Sequence, residues 1–273
     1  MLIDAHQHFW LLKDREGQWP PASLDAIYRD FMPDDLMPLM QQAGVDGTVL
    51  VQTMETADET DFMLALADAH DFIKGVVGWV DMKAADAGSE IARRAAHPAF
   101  KGVRPMLQDI EDASWIDDPV LDPAVDALIE NGLVFDALVL PRHLPHLLNF
   151  AKRYPALSIV IDHGAKPLIA TGHYRDWRRD MAALAALPNV NCKLSGLLTE
   201  RGEQSREAVR PYAETILELF GADRMMFGSD WPVLRLAGDY QGWLDFSRDI
   251  VPAADHEAVF GFNAMRFYSL SDR

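Results

Sequence analysis

Short apolar stretches recur along the chain at fairly even intervals. Eight of them are rich in valine, isoleucine, leucine and phenylalanine, and they cover residues 2–9, 44–52, 72–80, 100–105, 133–140, 157–163, 190–195 and 225–230. Their apolar residues follow one another without regular polar alternation, as in strands that are buried on both faces of a parallel sheet. The pattern therefore predicts eight parallel strands.

Amphipathic segments with helical spacing lie between several of these strands. They cover residues 34–43, 59–70, 122–131, 141–154 and 206–220, and glycine stops two of them, at Gly44 and Gly132. Alternating strands and helices are typical of βαβ units, and eight units match the ~250 residues of a (β/α)8 barrel. We predict an α/β fold with one TIM-like barrel domain, residues 1–273, in which residues 239–273 form closing helices.

Composition limits the partners of this barrel. The 273 residues include 42 acidic and 25 basic ones, and the net charge of −17 argues against binding to nucleic acid or to an anionic membrane. Cys192 is the single cysteine, so an internal disulfide is excluded. We see no secretion signal and no apolar run of membrane-spanning length. We expect a cytoplasmic protein that acts on a small molecule, and the oligomeric state stays open.

Polar and aromatic side chains cluster at one end of the predicted strands. In such barrels the chemistry lies at the C-terminal strand ends. The residues found there, or directly after, are His6, His8, Gln52, Trp79, Arg104, Asp162, His163, Lys166, Lys193, Ser195, Ser229, Asp230 and Trp231. Strand five contributes no polar side chain in this interpretation. The connection over residues 10–34 is long enough for a lid or binding loop, and it carries Trp10 and Trp19.

Alternation along a strand assigns directions to several of these side chains. His6 and His8 point the same way, so together they supply two ligands to a metal ion, or they are two inert polar residues that leave the core. Asp162 points away from His163 and most simply caps a turn. Lys193 faces either the lumen or the helices, and in the lumen it needs a partner or a substrate anion.

These motifs together resemble those of the amidohydrolase superfamily. The matching segments are His6-x-His8, Lys101-Gly102-Val103-Arg104-Pro105, Asp162-His163-x-x-Lys166-Pro167, Lys193-Leu194-Ser195-Gly196 and Phe227-Gly228-Ser229-Asp230-Trp231-Pro232. More narrowly, the chain is similar to the lactonase branch, which includes L-fuconolactonase and L-rhamnonolactonase. The resemblance covers essentially the whole chain, and it is more specific for the branch than for the substrate.

The resemblance implies roles for the strand-end residues. Asp230 matches the strand-eight aspartate that activates the hydrolytic water, His6 and His8 match the strand-one metal ligands, and His163 matches the strand-six histidine. Binuclear members use a strand-four lysine and a strand-five histidine, whereas this chain has Arg104 and an apolar strand five. We therefore expect one divalent ion, zinc by ligand type, on His6, His8, His163 and Asp230. Catalysis without a metal stays open.

The expected activity is hydrolysis of a sugar lactone or a related lactone. Asp230 acts as the base, and a metal, protonated His163 or Arg104 stabilises the oxyanion. The expected substrate contacts are Arg104, Lys193, Gln52, Trp10, Trp79 and Trp231, although the tryptophans suit packing equally well. A metal-dependent decarboxylase of the same superfamily and a non-catalytic binding barrel are the alternatives.

Overall fold

The computed structural model describes residues 1–15 and 17–271. Eight strands form one sheet, in which each strand is parallel to its neighbour and the spatial order is the chain order. Their bounds are β1 Ile3–Gln7, β2 Gly47–Val51, β3 Ile73–Gly78, β4 Phe100–Val103, β5 Val134–Ala137, β6 Ile159–Ile161, β7 Val190–Leu194 and β8 Met225–Phe227. The prediction of eight parallel strands is confirmed.

The sheet closes where β1 meets the turn after β8. Gln7 forms a parallel bridge with Trp231, and the His8 N–H donates to the Trp231 carbonyl at 2.8 Å. The Asp230 N–H donates to the His6 carbonyl, also at 2.8 Å. Because closure runs through these residues, it brings the strand-one histidines next to Asp230.

Helices surround the barrel. They are α1 Pro33–Ala43, α2 Ala57–Ala69, α3 Ala87–Ala95, α4 Asp122–Glu130, α5 Leu144–Arg153, α6 Arg175–Ala185, α7 Arg210–Phe220, α8 Tyr240–Ile250 and α9 Asn263–Phe267, with a short π-helix Ala258–Phe262 before the last. None of the helices among the described residues has the length and apolar character needed to cross a membrane.

Two helices were not predicted from the sequence. Helix α3 has nine residues and buries only Ala87, Ile91 and Arg94, so its apolar pattern is weak. Helix α6 begins at Arg175, in the long interval between the predicted helical segments 141–154 and 206–220. Glu16 of the long first connection and residues 272–273 of the predicted closing segment lie outside the described residues.

Two apolar layers stabilise the barrel. The inner layer consists of small and branched side chains from the strands, closed at the N-terminal end by Tyr268 and Leu270; its strand members are Ile3, Ala5, Val49, Val51, Val77, Val134, Val160 and Met226. The larger outer layer lies between strands and helices. Because the inner layer fills the lower lumen, polar groups collect towards the C-terminal end.

Candidate active site

The two histidines of β1 lie side by side at the C-terminal end of the barrel. Both are buried, and their rings meet edge to face with centroids 4.9 Å apart. Nδ1 of His8 lies 2.7 Å from the Val51 carbonyl oxygen. Because a carbonyl only accepts, this Nδ1 carries the proton and Nε2 keeps a free lone pair. The strand therefore presents both imidazoles to one space, as its alternation predicts.

Asp230 is held in a turn directly after β8. Its backbone has a φ of +58°, which is uncommon outside glycine and found chiefly at functional sites. The Ser229 N–H donates to Asp4 at 2.7 Å, and the Tyr240 hydroxyl donates to the other oxygen of Asp4 at 2.9 Å. Asp4, which the sequence analysis did not single out, therefore fixes the turn that carries Asp230.

The turn after β6 is left-handed over four consecutive residues. From His163 to Lys166 every φ lies between +47° and +63°, a conformation that costs a non-glycine residue roughly 1–2 kcal/mol. The Lys166 N–H donates to the His163 carbonyl at 2.9 Å. In so tight a turn, residues three apart lie on the same side. The side chains of His163 and Lys166 therefore both reach the same cavity. The turn is also held by the Trp177 indole N–H, which donates to the Gly164 carbonyl at 2.8 Å.

Three imidazole nitrogens surround one carboxylate oxygen. Oδ1 of Asp230 lies 3.2 Å from Nε2 of His8 and 3.8 Å from Nε2 of both His6 and His163. Nε2 of His8 and this carboxylate oxygen are both acceptors, so a shared proton or metal ion is needed between them. The ligand atoms of a tetrahedral zinc ion lie about 3.3–3.6 Å apart, which is close to this spacing. His6, His8 and Asp230 each offer a ligand atom within 4.8 Å of the others and can hold a divalent ion, and His163 forms a second such group with His6 and Asp162.

A cluster of buried charges lies beneath the histidines. Nζ of Lys193 donates to Asp136 at 2.5 Å and lies 3.0 Å from both Nδ1 of His6 and Oδ1 of Asp162. The Tyr268 hydroxyl donates to Asp136 as well. Lys193 has no exposed surface, so the structure places it away from the cavity, contrary to the expectation that it contacts substrate. Its role in the structure is that of counter-ion to two buried carboxylates.

The positions of Asp136 and Asp162 differ from those that the sequence predicts. Asp162 was predicted to point away from His163, but its Oδ1 lies 3.3 Å from Nδ1 of His6, and it offers a ligand atom within 4.8 Å of one from His163. The strand alternation fails here because the left-handed backbone of His163 turns the chain at the next residue. Asp136 lies within β5 and faces Lys193, so strand five does contribute a polar side chain. The feature of the sequence that could have predicted this is an aspartate inside the otherwise apolar run 133–140.

Arg104 lies at the cavity wall but is tied into the barrel. It is 2% exposed, and its Nη2 donates to the Gln52 carbonyl. Its Nη1 lies 3.3 Å from Asp162 and 3.4 Å from Nε2 of His6. The Gln52 side chain, in turn, donates to the Arg104 carbonyl at 2.5 Å and does not line the cavity. The structure thus assigns Gln52 to holding Arg104, whereas Arg104 remains placed to meet a substrate.

The ionisation of the site follows from burial and charge. Burial lowers the pKa of His163 to about 4 against the attraction of Asp230 and Asp162, so this imidazole is neutral near pH 7. Burial alone would raise the pKa of Asp230, but the neighbouring histidines outweigh it and hold that pKa below its ordinary value. Burial also raises the pKa of Asp136 to about 6. A neutral His163 beside an ionised Asp230 suits metal binding, and it does not fit the protonated His163 considered above.

A cavity of about 680 Å³ opens above this centre, and His8, His163, Asp230 and Arg104 form part of its wall. The tryptophans expected to stack on a substrate lie elsewhere. Trp10 and Trp231 are each 1% exposed and pack against Phe31. Among the described residues that line the cavity, Trp10, Trp231 and Trp79 are all absent. Large aromatic side chains pack favourably, and here Trp10 and Trp231 belong to the core, whereas Trp79 is partly buried.

The cavity wall includes residues that the sequence analysis left without a role. Trp19, Lys166 and Glu200 all line it. Trp19 belongs to the long loop predicted to bind substrate, and that loop is anchored by Arg15, whose guanidinium donates to the Trp19 carbonyl at 3.2 Å and forms a buried ion pair with Glu59. No sequence motif surrounds Glu200, so only the folded chain reveals it.

Known proteins resemble this chain over its whole length. An L-fucono-1,5-lactonase of Burkholderia ambifaria is 53% identical over 98% of this chain and 95% of that protein. A second L-fucono-1,5-lactonase, from Burkholderia multivorans, is 37% identical over 99% of this chain and 96% of that protein. A crystal structure of an amidohydrolase from Burkholderia multivorans with bound zinc has a TM-score of 0.91 and 36% identity, covering 99% of this chain and 100% of that one.

A family model described as amidohydrolase matches residues 3–270, which include every strand and every residue that lines the cavity. The expected resemblance is therefore confirmed. The chain belongs to the amidohydrolase family.

Proposed function

We propose that the protein is a lactonase that opens sugar lactones of the L-fucono-1,5-lactone type. Asp230 is the base, and one divalent ion, zinc, is held by His6, His8, His163 and Asp230. The observation that carries the proposal is the convergence of three imidazole nitrogens on Oδ1 of Asp230 at the floor of an open cavity. The two lactonase relatives support the substrate class, and the zinc-containing relative supports the metal.

Asp230 receives the proton of the attacking water. It lines the cavity and is ionised across the neutral range, because its pKa is held low. A carboxylate of low pKa is a weak base, so it suits an activated ester such as a lactone. When bound, a divalent ion lowers the pKa of water and polarises a carbonyl oxygen.

Ring opening needs a cationic contact for the developing oxyanion and a proton for the leaving oxygen. The Arg104 guanidinium supplies the first from the cavity wall, since its bonds to Gln52 and Asp162 fix its position. Water oxygen bonds to the carbonyl carbon and its proton passes to Asp230. The ring carbon–oxygen bond then breaks, and Asp230 returns the proton to the alkoxide, which leaves a hydroxy acid.

Two sets of substrates test this proposal against decarboxylation. The purified protein is incubated with five- and six-membered aldonolactones, with acid release followed by a pH indicator, and with carboxylated phenols, with carbon dioxide release followed. We expect acid release from aldonolactones above the spontaneous rate. Carbon dioxide release from the phenols without lactone turnover would overturn the proposal.

A further inference from the structure

The cavity contains an ion pair whose two charged groups are too far apart to form a direct hydrogen bond. Nζ of Lys166 lies 3.9 Å from Oε1 of Glu200, which is longer than a hydrogen bond, and both side chains are about a quarter exposed. Both line the cavity that also contains Asp230. The pair thus presents one donor and one acceptor, a short distance apart, to whatever occupies the cavity.

The fold holds both partners of this pair in place. Lys166 ends the left-handed turn after β6, which contains three non-glycine residues of positive φ and brings the Lys166 side chain to the side occupied by His163. Glu200 lies in the turn after β7, where the Thr199 hydroxyl donates to the Gly196 carbonyl at 2.8 Å. The Gln204 amide donates to the carbonyls of residues 169 and 170 at 3.2 and 2.9 Å and so joins the two loops.

The charges around this pair favour a neutral polar ligand. Lys166 and Glu200 cancel each other, whereas a carboxylate bound there would meet the negative charges of both Glu200 and Asp230. Burial raises the pKa of Glu200 against the attraction of Lys166, and the negative charge of Asp230 adds to this rise. An ammonium group donates and a carboxylate accepts, and a hydroxyl group does both.

We propose that Lys166 and Glu200 together bind two neighbouring hydroxyl groups of the lactone and so determine its specificity. The inference rests on the proposed function and extends it from lactones in general to lactones with adjacent hydroxyls. Lys166 donates to one hydroxyl oxygen, and Glu200 accepts from the other hydroxyl. The separation of 3.9 Å leaves room for each to reach a different hydroxyl of one ring.

The test compares two lactones with the same ring. L-fucono-1,5-lactone carries adjacent hydroxyls and δ-valerolactone carries none, and the selectivity is the ratio of their kcat/KM values. We expect this ratio to fall by about 10–100-fold in both Lys166→Met and Glu200→Gln, as for the loss of a hydrogen bond to a charged group. The control is Lys83→Met, which removes the surface pair between Lys83 and Asp118 and should leave the ratio unchanged.

The outcomes separate this inference from the proposed function. Wild-type protein that hydrolyses neither lactone contradicts the proposed function. Equal losses on both lactones would instead give Lys166 or Glu200 a role in the chemistry, and they would overturn the inference, as would a loss in only one of the two variants.

Binding of L-fucitol, the alditol that lacks a carbonyl, gives a second readout without turnover. Tryptophan fluorescence follows it, since Trp19 lines the cavity. The dissociation constant should rise about tenfold in each variant. An unchanged constant, or no binding to the wild-type protein, overturns the inference.

Discussion

Gly196 lies against the imidazole of His163 so closely that a Cβ atom at Gly196 would stand 2.4 Å from Nδ1 of that ring. The same Nδ1 lies 2.9 Å from the Ser195 hydroxyl. Position 196 therefore decides where His163 points. Its φ of +61° adds a second reason for glycine.

Replacement of Gly196 by alanine should displace His163 from the group around Asp230. We expect kcat/KM for the lactone to fall by at least about 100-fold, the scale on which small displacements reduce rate. Gly172→Ala is the matched control, because Gly172 has a φ of +71° but open space where the Cβ would lie. Equal activity losses in the two variants would show that backbone strain alone, and not the position of His163, causes the effect.

Removal of a single histidine should empty the proposed metal site. His8→Ala takes away the imidazole whose Nδ1 proton is held by the Val51 carbonyl. Because losing a ligand weakens metal binding strongly, we expect the zinc content to fall from about one equivalent to below about 0.1. Zinc is measured by mass spectrometry after dialysis. His97→Ala, which removes a partly exposed histidine near Asp68, should keep its zinc. Retention of zinc by His8→Ala would contradict the proposed ligand set.

Removal of Lys193 should destabilise the barrel. Lys193→Met leaves Asp136 and Asp162 buried without their ammonium partner, and we expect the free energy of unfolding in urea to fall by about 3–5 kcal/mol. The double variant Lys193→Met/Asp136→Asn should recover part of this loss, because one uncompensated carboxylate is gone. Additive losses would mean that the two side chains do not interact.

Trp19 should contribute to substrate binding, not to chemistry. It lines the cavity and is 37% exposed, so Trp19→Ala should raise KM several-fold and leave kcat within about twofold, as for uniform binding. Tyr28→Ala, on the same long loop and 46% exposed but outside the described cavity lining, is the control. A kcat that falls with unchanged KM would contradict this role.

The features that the sequence predicts correctly are those that repeat along the chain and those that depend on neighbouring residues. Eight apolar runs predict the barrel because parallel strands buried on both faces have few other solutions. His6 and His8 share a face because a regular strand fixes alternation. Those predictions depend only on neighbours in the chain.

The remaining features depend on the backbone leaving regular geometry or on distant partners. Asp162 joins the buried charges because His163 is left-handed, and no strand pattern shows that in advance. Lys193 meets Asp136 instead of substrate because β5 and β7, which lie on either side of β6, bring these two residues into contact although they are 57 positions apart in the chain. Trp10 and Trp231 suit a core as well as a cavity, and only packing around Phe31 decides between them.

The proposed mechanism depends most on Asp230, and replacement of this residue by asparagine tests the mechanism most directly. The substitution keeps the size and shape of the side chain but removes the proposed base. We predict that kcat/KM for L-fucono-1,5-lactone falls by about 10²–10⁴-fold, to the spontaneous background, while circular dichroism and the unfolding midpoint show a folded protein. Turnover by Asp230→Asn within about threefold of the wild-type rate would contradict the proposal that Asp230 activates the water.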